Sequence, residues 1–138
     1  MARFMGLARW AEFDDMRLVD EVVQGLPVSA AETIVRHIDP EGSYLRVQDI
    51  VPRSSYYRRK DVGRPLSREQ SERVLALSRV FYETLRQYHD DRKTAAMFLA
   101  RGHPLLGGRS PLEIARESTA GADLVLKLLA RAEAGVSV

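Results

Sequence analysis

Helix start and stop signals alternate along this chain, and they constrain its fold more than any other feature. Ser67–Gln70 has the capping-box spacing, in which two side chains satisfy free amides of a first helical turn. Ser29–Glu32 has the same spacing, and Ser110–Glu113 adds a proline at the first helical position. Three glycines stand where a last helical turn would be followed by a left-handed residue: Gly25, Gly102 and Gly135. These signals predict a chain of short helices.

The spacing of the apolar residues supports the helices. Between residues 70 and 89 one stripe recurs at three- and four-residue steps, formed by Val74, Leu77, Phe81, Leu85 and Tyr88. This stripe indicates a central helix whose apolar face belongs to the core. Further helices are predicted at about 14–24, 29–38, 44–50, 53–61 and 120–134, around Ala95–Leu99 and after Ser110. No alternating run between hairpin turns indicates a strand, so the sequence predicts an all-α protein.

A basic segment closes the first half of the chain. Residues 53–64 carry a net charge of +4, whereas the whole chain carries +2, and Gly63 and Pro65 then interrupt any helix. We predict a helix-turn-helix-like region over residues 1–64 and a small helical domain over residues 65–138. Hydroxyl and cationic side chains at a helix start are typical of DNA contact, and the candidates here are Ser54, Ser55, Tyr56, Arg58, Arg59 and Lys60. The alternative is a solvated helix face, and Pro52 stands where the turn would be.

Composition excludes several other classes of function. The chain has no cysteine, which excludes disulfides, thiolate metal sites and cysteine nucleophiles. The histidines are scattered, and His89–Asp91 is interpreted as a helix end and the cap of the next helix. No apolar run approaches the roughly 20 residues of a membrane helix, and the first residues turn acidic too early for a secretory signal. We therefore expect a cytoplasmic protein that is not an enzyme and that needs neither a metal nor a cofactor.

Three motifs in the second half resemble a known family. Leu66–Val74 resembles the LSxxESERL opening of the toxin-binding domain of Xre/MbcA/ParS antitoxins. His103–Glu113 resembles the NPALGG+TPLEL motif of that family, and Leu128–Val136 resembles its closing LLxRIExGV motif. The ParS branch is the nearest resemblance. Three departures are evident. His103 stands where the family usually has Asn, and Ala115–Thr119 replaces the commoner LLxTe stretch, although Thr119 and Gly121 keep the T..G step. In the first half Ser55–Lys60 resembles the SxrTlxRRk part of the family, with Tyr57 in place of a small hydroxyl residue.

This resemblance implies an antitoxin that binds a RES-domain toxin and covers the site where the toxin degrades NAD or uses it for ADP-ribosylation. It also implies a homodimer that forms a hetero-oligomer with the toxin and represses its own operon at operator DNA. The residues expected to contact the toxin lie in the glycine turn and at the C-terminal end: Arg109, Arg131, Glu133, Gly135, Val136, Ser137 and Val138. A terminal carboxylate beside Arg131, or facing a toxin arginine, would fit a pyrophosphate pocket. The alternatives are a stand-alone helix-turn-helix regulator and, failing that, a small enzyme.

Overall fold

The computed structural model describes residues 15–135, apart from the side chains of Asp15 and Arg17. In this part of the chain it contains seven α-helices and no strand: α1 (Asp15–Gln24), α2 (Val28–Ile38), α3 (Arg53–Val62), α4 (Arg68–Gln87), α5 (Arg92–Ala100), α6 (Pro111–Glu117) and α7 (Thr119–Glu133). The all-α prediction is confirmed. The helix expected at residues 44–50 is instead a single 3-10 turn, Val47–Asp49.

Contacts divide the chain into two compact units, the first ending at Ser78 and the second beginning at Arg79, so that α4 spans the division. In the first unit the loop before α2 is tied to the start of α4. The Leu26 N–H donates to Ser71 Oγ at 2.9 Å, and the Leu66 N–H donates to the Leu26 carbonyl at 2.8 Å. Residues 66–71 therefore pack with the first half of the chain. The domain boundary between residues 64 and 65 remains a prediction.

Each unit contains fully buried apolar side chains. Those of the first unit include Leu26, Ile34, Ile38, Leu45, Ile50, Val51, Leu66, Val74 and Leu77. Those of the second unit include Val80, Phe81, Leu99, Ala122 and Val125. On the predicted stripe of α4, Val74, Leu77, Phe81 and Leu85 are buried, and Tyr88 beyond the helix end is half-buried. The prediction that this stripe belongs to the core is confirmed for its four helical members.

Two of the predicted N-caps form, and one does not. The Ser67 N–H donates to Gln70 Oε1 at 3.0 Å and the Gln70 N–H donates to Ser67 Oγ at 3.1 Å, which is the reciprocal capping box. Ser110 Oγ accepts from the Glu113 N–H at 3.1 Å. The cap predicted at Ser29 is wrong, because α2 begins at Val28 and its N-cap is Pro27, two residues before Ser29, with no side-chain cap bond. Ser29 lies inside the first turn.

The prediction that Gly102 supplies a left-handed residue after α5 is wrong. Arg101 is the C-cap in an extended conformation, and Gly102 does not have a positive φ. Glycine is needed there because the backbone of Gly108 passes close by. A Cβ on Gly102 would overlap the Gly108 carbonyl oxygen.

The second unit contains an even closer backbone approach, between α6 and α7. Gly121 lies in the first turn of α7, where its N–H donates to the N-cap hydroxyl of Ser118 at 2.9 Å. A Cβ on Gly121 would overlap the carbonyl oxygen of Ile114 and lie 2.9 Å from its carbonyl carbon. The two helices can pack at this distance only while position 121 carries no side chain.

Candidate functional site

The C-terminal end of α7 is tied to the C-terminal end of α4. Arg86 Nη2 donates to Glu133 Oε2 at 2.7 Å, and the Gln87 side-chain amide donates to the Leu129 carbonyl. The hydrogen bond from Arg86 lowers the pKa of Glu133 below its ordinary value, and the bond to Glu133 raises the pKa of Arg86. Glu133, predicted as a toxin contact, thus forms an ion pair with Arg86 within the second unit.

The other predicted residues at this end differ in their surroundings. Arg131 is exposed and has no ion-pair partner among residues 15–135. Gly135 is exposed with a φ of 82°, which is a left-handed conformation, as predicted for the residue after this helix. Val136, Ser137 and Val138 lie outside the described residues. The exposed guanidinium and the glycine turn are accessible to a partner.

Arg109 lies in the turn before α6 and is braced along that helix. Its Nε donates to Glu113 Oε2 at 3.2 Å, and its Nη2 donates to Glu117 Oε1. The bonds to Glu117 and Glu113 raise the pKa of the guanidinium. The side chain remains 44% exposed, so these carboxylates orient it without burying it. Its contact with a toxin remains a prediction.

The turn between α5 and α6 is capped by His103, at the position where the family motif quoted above has Asn. His103 Nδ1 accepts from the Leu105 N–H at 3.1 Å, at the start of the 3-10 turn Pro104–Leu106. An imidazole nitrogen accepts this bond as an Asn carbonyl would. The substitution therefore leaves a side-chain cap in place.

A cleft of about 190 Å³ opens beside this turn, and sequence reasoning did not find it. Its lining includes Tyr88, Met97, Phe98 and His103. Phe98 packs against the rings of Tyr88 and His103, while Met97 is 49% exposed. The signal that could have found it is the position of Met97, two residues after the buried Ala95 on a short helix.

The basic helix α3 is fastened to α2 through Glu32, which the sequence had suggested as part of a cap. The Tyr56 hydroxyl donates to Glu32 Oε2 at 2.6 Å, and Lys60 Nζ donates to the same oxygen at 2.9 Å. Burial would raise the pKa of Glu32, but the hydrogen bonds from Tyr56 and Lys60 outweigh it, so the pKa is lowered. The bond to Glu32 raises the pKa of Lys60 and keeps the ammonium charged.

The six DNA-contact candidates therefore divide between two faces of α3. Tyr56 is buried, and Arg59 donates to Ser55 Oγ at 3.1 Å and to the Pro65 carbonyl at 2.6 Å. With Lys60, these residues hold the helix in place. The outward face consists of exposed side chains one helical turn apart: Arg53, Ser54, Tyr57 and Arg58.

Arg53 and Tyr57 on this outward face were not among the predicted contacts. The Arg53 guanidinium lies 5.7 Å from the centre of the Tyr57 ring, a cation–π arrangement. Helical spacing could have found them, because positions 53, 54, 57 and 58 share one side of a helix. The helix-turn-helix arrangement itself remains a prediction.

A comparison with protein families gives one match, within the second half of the chain. The family model of the antitoxin Xre/MbcA/ParS C-terminal toxin-binding domain matches residues 84–135. Residues 84–135 belong to this antitoxin family. A comparison with curated proteins gave no match. The resemblance to this toxin-binding domain is therefore confirmed over residues 84–135, which include the His103–Glu113 motif, whereas the Leu66–Val74 motif lies before the match.

The match places several of the features above inside the toxin-binding domain. It includes the bond between Arg86 and Glu133, the braced Arg109 and the exposed Arg131. The basic helix α3 lies before it. Within residues 15–135 no group of three His, Cys, Asp or Glu side chains is placed to hold a metal ion. No helix in the same part is long and apolar enough to span a membrane.

Proposed function

We propose that this antitoxin neutralises a RES-domain toxin that consumes NAD, by binding it and covering its active site. The observation that carries the proposal is the family match over residues 84–135. The exposed Arg131 supports it, because an arginine at a helix end with no ion-pair partner within residues 15–135 can bind anionic groups on a partner. The antitoxin acts in the cytoplasm by occlusion and needs no catalytic group or cofactor of its own. We expect a homodimer that assembles with toxin into a hetero-oligomer.

Co-expression with the adjacent gene tests this function. We expect the two proteins to purify as one complex that leaves NAD intact, and the partner to consume NAD once the antitoxin is removed. The measurement is NAD concentration over time, with the separated partner as the control. If no complex forms, or if the partner is equally active in both states, a stand-alone DNA-binding regulator becomes the better explanation.

A second role, repression of its own operon, is supported by the outward face of α3. The exposed side chains of Arg53 and Arg58 offer two cations for phosphates, and those of Ser54 and Tyr57 offer hydroxyl groups for bases or phosphates. The inward bonds of Tyr56 and Lys60 to Glu32 hold the helix while this face stays free.

Arg58→Ala tests this second role. We expect operator affinity to fall about tenfold, and the slope of log affinity against log salt to drop by about one, because one phosphate contact is lost. Binding is measured by fluorescence anisotropy over a salt series. Arg68→Ala on α4 is the matched control, since Arg68 is exposed and paired with Glu72. An unchanged affinity and slope for Arg58→Ala would contradict a DNA contact through α3.

A further inference from the structure

We propose that Arg86 and Gln87 are positioning residues for toxin binding. By holding the last two turns of α7, they fix the direction in which the chain leaves the helix after Glu133. This inference rests on the proposed function, because it assumes that the residues beyond α7 reach the toxin. It assigns a role to two residues that no sequence motif singled out.

The first support is the double bracing of the Arg86 guanidinium. Glu83 Oε2, one turn earlier on α4, accepts from Arg86 Nε at 3.1 Å and from Nη2 at 2.9 Å. Glu133 Oε2 accepts from the same Nη2 at 2.7 Å. Because the guanidinium donors are fixed in one plane, a carboxylate on each helix sets the angle of that plane. Arg86 is thus oriented by α4 before it reaches α7.

The second support is that neighbouring residues of α4 hold two points of α7. Gln87 donates to the carbonyl of Leu129, and Arg86 binds the side chain of Glu133, four positions further along. Residues four apart lie on the same face of a helix, one turn above the other. Helix ends ordinarily fray. Two attachments one turn apart oppose both fraying and rotation of the last turn.

The third support is the charge of Glu133 itself. A carboxylate in the last turn of a helix opposes the helix dipole, so it does not stabilise α7 by itself. The side chains of Arg86 and Glu133 are 46% and 52% exposed, and surface ion pairs add little to folding stability. The pair is therefore poorly explained as a contribution to the stability of the fold. It is better explained as a geometric constraint on the helix end.

A double-mutant cycle tests the proposal. Toxin affinity is measured for Arg86→Ala, Glu133→Ala and the double variant, in the full chain and in a chain truncated after Gly135. In the full chain we expect each single variant to bind about tenfold more weakly and the double variant to lose no more, because the residues act as one unit. In the truncated chain Arg86→Ala should have no further effect. Arg79→Ala is the matched control, as an exposed arginine on the same helix with no ion-pair partner among the described residues.

Hydrogen exchange in the free antitoxin separates this proposal from the proposed function. We expect Arg86→Ala to speed exchange of the amides of residues 130–134 while leaving the midpoint of thermal unfolding unchanged. Unchanged exchange would overturn the positioning role whether or not a toxin binds. The positioning role would also be overturned if Arg86→Ala lowered toxin affinity equally in the truncated chain. Additive losses of affinity in the double variant would overturn it too, because they would indicate that Glu133 contacts the toxin directly. Faster exchange, in a protein that forms no toxin complex, would show that Arg86 holds the end of α7 and would reject the proposed function.

Discussion

Gly121→Ala is expected to destabilise the second unit by about 2 kcal/mol and to weaken toxin binding with it. In an exposed helix the same change stabilises by up to about 1 kcal/mol, because alanine has the higher helix propensity. The sign of the change in unfolding free energy therefore shows whether the backbone of α6 lies against position 121. At this position the new Cβ would overlap the carbonyl oxygen of Ile114, so α6 or α7 must shift. Equilibrium urea unfolding measures the change.

The matched control is Ala120→Val, which adds bulk at the preceding residue of the same helical turn. Ala120 is exposed, so the control should cost no more than the propensity difference of about 0.7 kcal/mol. A stabilising effect of Gly121→Ala would show that α6 and α7 do not depend on this close approach. A loss of toxin binding without a loss of stability would instead place position 121 at the toxin interface.

Truncation after Gly135 is expected to weaken toxin inhibition by a factor of about 30, the effect of losing one interface hot spot of about 2 kcal/mol. The reason lies at the end of α7, where Arg131 is exposed and Gly135 turns the chain out of the helix. We expect the residues after this turn to enter a pocket on the toxin. The measurement is the antitoxin concentration that halves NAD consumption by the toxin.

Arg131→Ala in the full chain tests the contribution of the helix end to inhibition independently of the residues that follow Gly135. If both reach the toxin, each change should weaken inhibition, whereas the midpoint of thermal unfolding should stay the same in both variants. Stability should be unaffected because Arg131 is exposed and makes no ion pair within residues 15–135. Inhibition by the truncated protein at full strength would reject the tail mechanism and leave occlusion to the rest of the domain.

Local signals were enough to predict most helices. The stripe on α4 and the caps at Ser67 and Ser110 depend on residues three or four apart, and such patterns are visible in a sequence. The prediction of a cap at Ser29 failed because α2 begins at Val28, which places Ser29 inside the first turn with the extended Pro27 at the N-cap. The family motifs included Gly121, but its physical reason, the backbone of α6, appears only in three dimensions.

The candidate sites were predicted less completely, because their partners lie far apart in the chain. Arg86 and Glu133 are separated by 47 positions, and Glu32 and Lys60 by 28. No local spacing indicates such a pair. The sequence correctly marked α3 as the basic helix, but it could not show that burial turns Tyr56 inward. Helix spacing could have indicated the exposed Arg53 and Tyr57, whereas the pairing of Tyr56 and Lys60 with Glu32 appears only in three dimensions.

The division of α3 into an inward and an outward face has a consequence for protein engineering. The bonds of Tyr56 and Lys60 to Glu32 anchor the helix from one side, while Arg53, Ser54, Tyr57 and Arg58 have their side chains exposed. Substitutions at exposed positions usually change stability by less than about 0.5 kcal/mol. A combinatorial library at these four positions would therefore vary the chemistry of the helix surface on an unchanged scaffold, and variants with new ligand preferences could be selected from it.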